Sequence, residues 1–323
     1  MTGSEIKLMN VINREIQTAV VTGSTGAVGQ ALCRYLLRKG IKVYAICRPY
    51  SDRNSRLPDD IYLQKVFCDI SDIRKLPELI SGKADAFFHL AWTNSASDLR
   101  NNMLAQVDNI KATLEACHAA KELGCVVLIG AGSQAEYGRV GEALKPDTPC
   151  FPENGYGMAK LCAGQMSRME CKKLNIHHIW PRILSVYGPH DGQTAMITQT
   201  IKKLLVRESP SLTAGEQIWD YLYEDDVADA LYRLAVYGQN GYIYPVGSGK
   251  ARPLREYLKI LRDAIDPSMP LGFGDIPYRD KQVMFLEADI SAIRKDTGFV
   301  PGTDFEVGIR KTIDYFRSSG DLK

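Results

Sequence analysis

Thr18-Ala19-Val20-Val21-Thr22-Gly23-Ser24-Thr25-Gly26-Ala27-Val28-Gly29 decides how this chain is read. Its first five residues are β-branched and apolar, as in a buried strand. Glycines then recur as Gly-x-x-Gly-x-x-Gly, and Val28, Ala31, Leu32, Tyr35 and Leu36 repeat at helical spacing. A strand that turns on glycines into a helix brings backbone close to a pyrophosphate, and the helix N-terminus offers N–H donors and a positive dipole. The spacing departs from Gly-x-Gly-x-x-Gly, so the strand before and the helix after carry the reading. The expectation is a bound dinucleotide, against the plainer alternative of a tight turn without ligand.

Further strands are expected at Val43–Cys47, Tyr62–Val66, Ala86–Ala91, Cys125–Ile129 and His178–Leu184, after a first at Thr18–Val21. Between them, Met103, Val107, Ile110, Leu114 and Cys117 repeat as a helix does. Near-continuous apolar strands separated by helices indicate a parallel sheet covered on both faces. The predicted fold is α/β: a Rossmann-type doubly wound parallel sheet with a smaller α/β substrate-binding lobe. Residues 17–187 are assigned to the dinucleotide-binding domain and 188–323 to the lobe, interleaved because Tyr242–Val246 is expected to return to the main sheet. Residues 1–16 read as a polar extension. His177 and His178 fall in a strand pattern and are given structural roles, while Asp225 and Asp226 are expected to cap a helix.

The bulk numbers set bounds. The 323 residues suit two intimately packed units. A net charge of +2 offers no argument for nucleic acid or an anionic membrane surface. The eight cysteines include no Cys-x-x-Cys pair, so buried free thiols are expected rather than disulfides, and no His/Cys/carboxylate spacing suggests a metal. No apolar run reaches the ~18 residues of a membrane span. Charged residues at Glu5, Lys7, Arg14 and Glu15 argue against a signal peptide. The expectation is a cytoplasmic enzyme.

Two further patterns carry chemistry. After the second expected strand stands Arg48 with no acid, and arginine at this place accommodates a ribose 2′-phosphate. NADP(H) is therefore preferred and NAD(H) possible; a solvated surface arginine is the alternative. Tyr156 and Lys160 lie four apart and share a helix face. An ammonium beside a phenol favours the phenolate, which makes Tyr156 a candidate acid/base.

Taken together, Gly23–Gly29, Asp69, His89-Leu90-Ala91, Asn109, Ser133 through Tyr137-Gly138, Tyr156 with Lys160, Pro181-Arg182 and Val186-Tyr187-Gly188-Pro189 resemble the extended short-chain dehydrogenase/reductase (epimerase/dehydratase) family from Thr18 to about Phe316. The resemblance implies cofactor contacts from Gly23, Thr25, Gly26, Ala27, Val28, Gly29, Arg48, Asp69, Ile70, Leu90, Ala91, Asn109, Pro181 and Ile183. It implies Ser133 on the substrate oxygen, Tyr156 exchanging the proton, and Lys160 holding the nicotinamide ribose while depressing the tyrosine pKa. Thr93, Gln134, Tyr187, Trp219 and Arg279 are substrate-binding candidates by motif position. The family also implies a homodimer through helices near residues 103–122 and 155–173.

Dehydratases of this family carry an acidic pair after the serine position, where this chain has Gln134 and Ala135, with Glu136 one residue off. Dehydratase is therefore disfavoured. Gly215-Glu216-Gln217-Ile218 and Tyr278-Arg279-Asp280 through Met284-Phe285 are similar to reductases that form deoxysugars from 4-keto sugar nucleotides. The reading is NADPH-dependent reduction of a 4-keto sugar nucleotide. Its alternatives are a nucleotide-sugar C4 epimerase with tightly bound NAD(P), and a non-catalytic NADP(H)-sensing protein. Two departures from the family pattern stand near the substrate: Trp219 replaces a phosphate-binding cation, and Ser185 replaces an asparagine.

Overall fold

The computed structural model describes residues 13–319 apart from residue 96, without the side chains of residues 97 and 98. Seven parallel strands form the main sheet: β1 (Thr18–Thr22), β2 (Lys42–Cys47), β3 (Leu63–Phe67), β4 (Ala86–His89), β5 (Val127–Gly130), β6 (His177–Ile183) and β7 (Tyr242–Val246), in the spatial order β3-β2-β1-β4-β5-β6-β7. Gly132–Ser133 adds a short eighth member beside the end of β6. The strands stand within two residues of their expected bounds. Successive side chains go to opposite faces: Ala19 and Val21 join one core cluster and Val20 the other, as do Phe88 against Phe87 and Ile129 against Leu128.

Strand β4 stops two residues short of expectation. The Thr22 hydroxyl accepts hydrogen bonds from Leu90 N (3.1 Å) and Ala91 N (3.2 Å), which draws these residues across the end of β1. The chain order reverses between β1 and β4, so their carboxyl ends open a crevice where ligands of such sheets bind.

Helices α1 (Ala27–Arg38), α2 (Met103–Glu122), α3 (Gly155–Leu174), α4 (Met196–Leu205), α5 (Glu224–Tyr237), α6 (Leu254–Ile265), α7 (Ser291–Thr297) and α8 (Phe305–Ser319) complete the frame, with shorter turns. Helix α5 packs on α1, against the main sheet. Helices α4, α6 and α8 share a separate core of Ile197, Ile201, Tyr257, Leu261, Ile309 and Phe316.

Three expectations change. Residues 13–16 of the supposed extension are built into the fold: Ile16 is buried, and the Arg14 guanidinium donates to Ala235 O (3.0 Å) and Gly238 O (3.0 Å) and lies 2.7 Å from His177 Nδ1. Residues 1–12 lie outside the described residues. Asp226 does not cap α5, whose N-cap is Tyr223; its carboxylate accepts from Gly302 N (3.1 Å) and Thr303 N (3.0 Å), while Asp225 faces Arg38 at 3.9 Å. On α2 the buried face is small and polar (Asn109, Ala112, Thr113, Ala116), and Met103, Leu104 and Val107 are exposed. The two histidines are structural, His178 bonding Ser167 Oγ at 2.8 Å.

Candidate active site

A cleft of about 610 Å³ runs over the carboxyl ends of β1, β2, β4 and β5, a volume typical of cofactor and substrate sites. Its floor is the glycine turn. Gly23 has φ +66°, and a Cβ there would stand 2.7 Å from Ala91 N, so only glycine lets the two loops meet. Helix α1 begins at Gly26 with no side-chain cap, which leaves its first N–H groups directed at the cleft. Thr25, Ala27 and Val28 line it beside these glycines. Gly29 does not: a methyl there would collide with Gly23 O, so it is a packing glycine.

At the β2 end the exposed Arg48 lines the cleft, joined by Arg53 from the turn Asp52–Arg56. Asn54 Nδ2 donates to Arg48 O (3.0 Å) and holds this turn, and neither arginine enters an ion pair among the described residues. Asp69 and Ile70 line the cleft as well, and the Asp69 carboxylate accepts from Ser71 N at 3.1 Å. Arg53 escaped the sequence reading because only the turn brings it back beside Arg48.

At the other end, helix α3 delivers Tyr156. Asn154 Oδ1 accepts from Gly157 N (2.9 Å), and Asn101 Oδ1 accepts from Gly155 N (3.0 Å). A Cβ on Gly157 would collide with Ala135 O, so a bare backbone here lets the first turn of α3 press against the Ser133 loop. Ser133, Gln134, Tyr156 and Lys160 accordingly line one region, with Leu90, Ala91, Thr93 and Ile183. Lys160 is buried; its Nζ donates to Ala131 O (2.6 Å) and sits 3.7 Å from the Trp92 ring centroid.

The electrostatics differ from expectation. Burial pushes the Tyr156 phenol up; the nearby Ser133 hydroxyl and the charge of Arg100 oppose it. Burial also pulls Lys160 down to about 7, against the pull of Glu136. Burial of the phenol outweighs the depression expected from Lys160, whose ammonium faces Trp92 and a carbonyl.

Glu136 has no room for chemistry. It forms a capping box with Ser133, accepting from Ser133 N (2.8 Å) while Ser133 Oγ accepts from Ala135 N (3.2 Å). It also accepts from Trp180 Nε1 (3.0 Å) and Arg182 Nε (2.6 Å).

Several expected contacts stand elsewhere. Asn109 is buried and spends its amide on Thr93, accepting from Thr93 N (2.9 Å) and donating to Thr93 O (3.0 Å). Pro181 lies inside β6, paired with Tyr244. Tyr187 is buried in the lobe core against Phe305 and Tyr223. Trp219 packs beside Leu184 and Leu286 and donates to Ser185 Oγ (2.8 Å), so Ser185, not the indole, lines the cleft. Arg279 is exposed on the segment after Asp275, off the cleft. Trp92, Arg100 and Asp191 line the cleft without having been singled out. Trp92 directly follows the Leu90-Ala91 signal; Arg100 and Asp191 stand in no periodic pattern. Asp191 is raised to about 6 by burial, against a hydrogen bond from Gly192 N.

The glycine cradle, the uncapped start of α1, two arginines in no ion pair among the described residues at one end and a Ser/Tyr/Lys group at the other suit an extended dinucleotide. Residues 19–247 match the NAD dependent epimerase/dehydratase family, and the chain belongs to it. It is an NAD(P)-dependent enzyme of the extended short-chain dehydrogenase/reductase type. It is 25% identical to the dTDP-4-dehydro-6-deoxyglucose reductase of Escherichia coli over 92% of this chain and 97% of that one. It is 26% identical to the CDP-abequose synthase of Salmonella typhimurium over 91% and 96%. Among solved structures it is similar to the UDP-N-acetylglucosamine 4-epimerase of Methanobrevibacter ruminantium, with a TM-score of 0.85 and 25% identity over 94% of this chain and 99% of that one. Among the described residues no helix is long and apolar enough to cross a membrane.

Proposed function

We propose that this enzyme reduces the 4-keto group of a nucleotide-activated deoxysugar, with NADPH as the preferred cofactor. One observation carries the reading: Ser133, Tyr156 and Lys160 line the same cleft, while the neighbouring Gln134 and Ala135 offer no carboxylate and Glu136 is locked to Arg182. Bound at the cradle, the reduced nicotinamide supplies the hydride. Ser133 orients the ketone oxygen, Tyr156 donates the proton to it, and Lys160 holds the cofactor ribose. Arg48 and Arg53 receive the 2′-phosphate. Thr93 and Gln134 face the sugar. The two relatives named for 4-keto sugar reduction and abequose synthesis support this assignment.

Residues 17–187, with α5 and β7, carry the dinucleotide, and the remainder of 188–323 covers the substrate. Exposed Met103, Leu104 and Val107 on α2 and Met158, Met166 and Met169 on α3 suit burial against a second copy as a homodimer. Eight free cysteines suit the reducing cytoplasm.

The test follows reduced-nicotinamide absorbance with a panel of 4-keto-6-deoxy sugar nucleotides. Substrate-dependent loss of NADPH that disappears in Tyr156→Phe supports the reductase. Sugar interconversion without net NADPH loss replaces it with an epimerase.

A further inference from the structure

Two cations stand by the Tyr156 ring, and they are not equivalent. Arg100 Cζ is 4.9 Å from its centroid and Lys160 Nζ 5.8 Å. The Lys160 ammonium is turned to the Trp92 face and to Ala131 O. The Arg100 guanidinium is a planar cation whose donors form a fixed fork. Its Nε donates to Ser95 O (2.7 Å), which fixes the stem, and it enters no ion pair among the described residues. It lines the cleft beside Ser133 and Gln134.

We propose that Arg100 is a positioning residue, a fixed positive charge that joins Lys160 in favouring the phenolate of Tyr156. This rests on the reading of Tyr156 as the proton-transfer group. The groups that face Tyr156 are Arg100 from the turn before α2, Lys160 from its own helix, Trp92 from the loop after β4, and Ser133 and Glu136 from the turn after β5. Glu136 disfavours the phenolate, but its charge is already engaged by Arg182. When the phenol gives its proton to the ketone oxygen, the O–H bond breaks and a new O–H forms on the product alcohol. The phenolate left behind is stabilised by the nearby guanidinium until solvent returns a proton.

The experiment is a pH titration by fluorine NMR of full-length protein labelled with 3-fluorotyrosine, the Tyr156 signal being assigned by its loss in Tyr156→Phe. In Arg100→Gln the Tyr156 step should move up by about one unit, as expected on losing an opposite charge at this range. Arg100→Lys should restore most of the shift. In the reductase assay, which needs the protonated phenol, the loss of rate at high pH should move upward in parallel in Arg100→Gln. An unmoved step in Arg100→Gln overturns the proposal. The NMR readout needs no turnover. A shifted step without activity on any nucleotide sugar therefore upholds Arg100 and removes the reductase reading, whereas Tyr156-dependent turnover with an unmoved step does the reverse.

Discussion

Arg182 donates from Nε to Glu136 Oε2 at 2.6 Å, with both side chains almost wholly withdrawn from solvent. The same carboxylate accepts from Trp180 and from the Ser133 backbone, so one buried ion pair holds the loop that presents the candidate serine.

Removing one partner of such a pair leaves an uncompensated charge, at a cost of about 3–5 kcal/mol. Glu136→Gln should therefore lower unfolding stability by that order in a guanidinium melt. Glu136→Gln combined with Arg182→Met should recover most of it. A single variant as stable as wild type would show that the pair does not organise the loop.

Gly130, Gly132 and Gly164 clasp the Trp180 indole, and a Cβ on Gly164 would lie 2.6 Å from its ring. Alanine in a helix gains about 0.5–1 kcal/mol over glycine, but overpacking a rigid ring costs about 1–3 kcal/mol. Gly164→Ala should be net destabilising by thermal melting; a raised Tm would refute the clasp.

Burial pulls His89 and His178 down to about 3. The folded state keeps both neutral, whereas the unfolded chain takes up protons below about pH 6.5. Stability should be full above that pH and fall as pH drops toward 3, each histidine contributing about 1.4 kcal/mol per pH unit. Urea midpoints measured down the pH scale should fall less steeply in His178→Phe, which keeps the stack on Trp180. Equal slopes would remove His178 from this account.

Charge-assisted hydrogen bonds contribute about 1.5–3 kcal/mol, which is roughly ten- to a hundredfold in binding. Arg48→Ala should raise the NADPH KM by that factor, leave the NADH KM little changed, and be compounded by Arg53→Ala. If both cofactors weaken alike, Arg48 does not read the 2′-phosphate.

The sheet was legible in the chain because β-branched runs, glycine turns and helical repeats are local, and the central strands bury both faces. The cradle was legible too, since Gly23 and Gly26 act through their own backbone. The spacing of Tyr156 and Lys160 placed them on one helix but could not show that burial governs both proton affinities, because desolvation comes from residues distant in sequence. Tyr187, Trp219 and Arg279 show the same limit: motif position said nothing of where the lobe would turn them. Sequence alone determined the strands, the turn and the helix that carries the tyrosine. Only tertiary packing locked Glu136 to Arg182, returned Arg53 beside Arg48 and set Arg100 over Tyr156, because charge and solvation act through space and not along the chain.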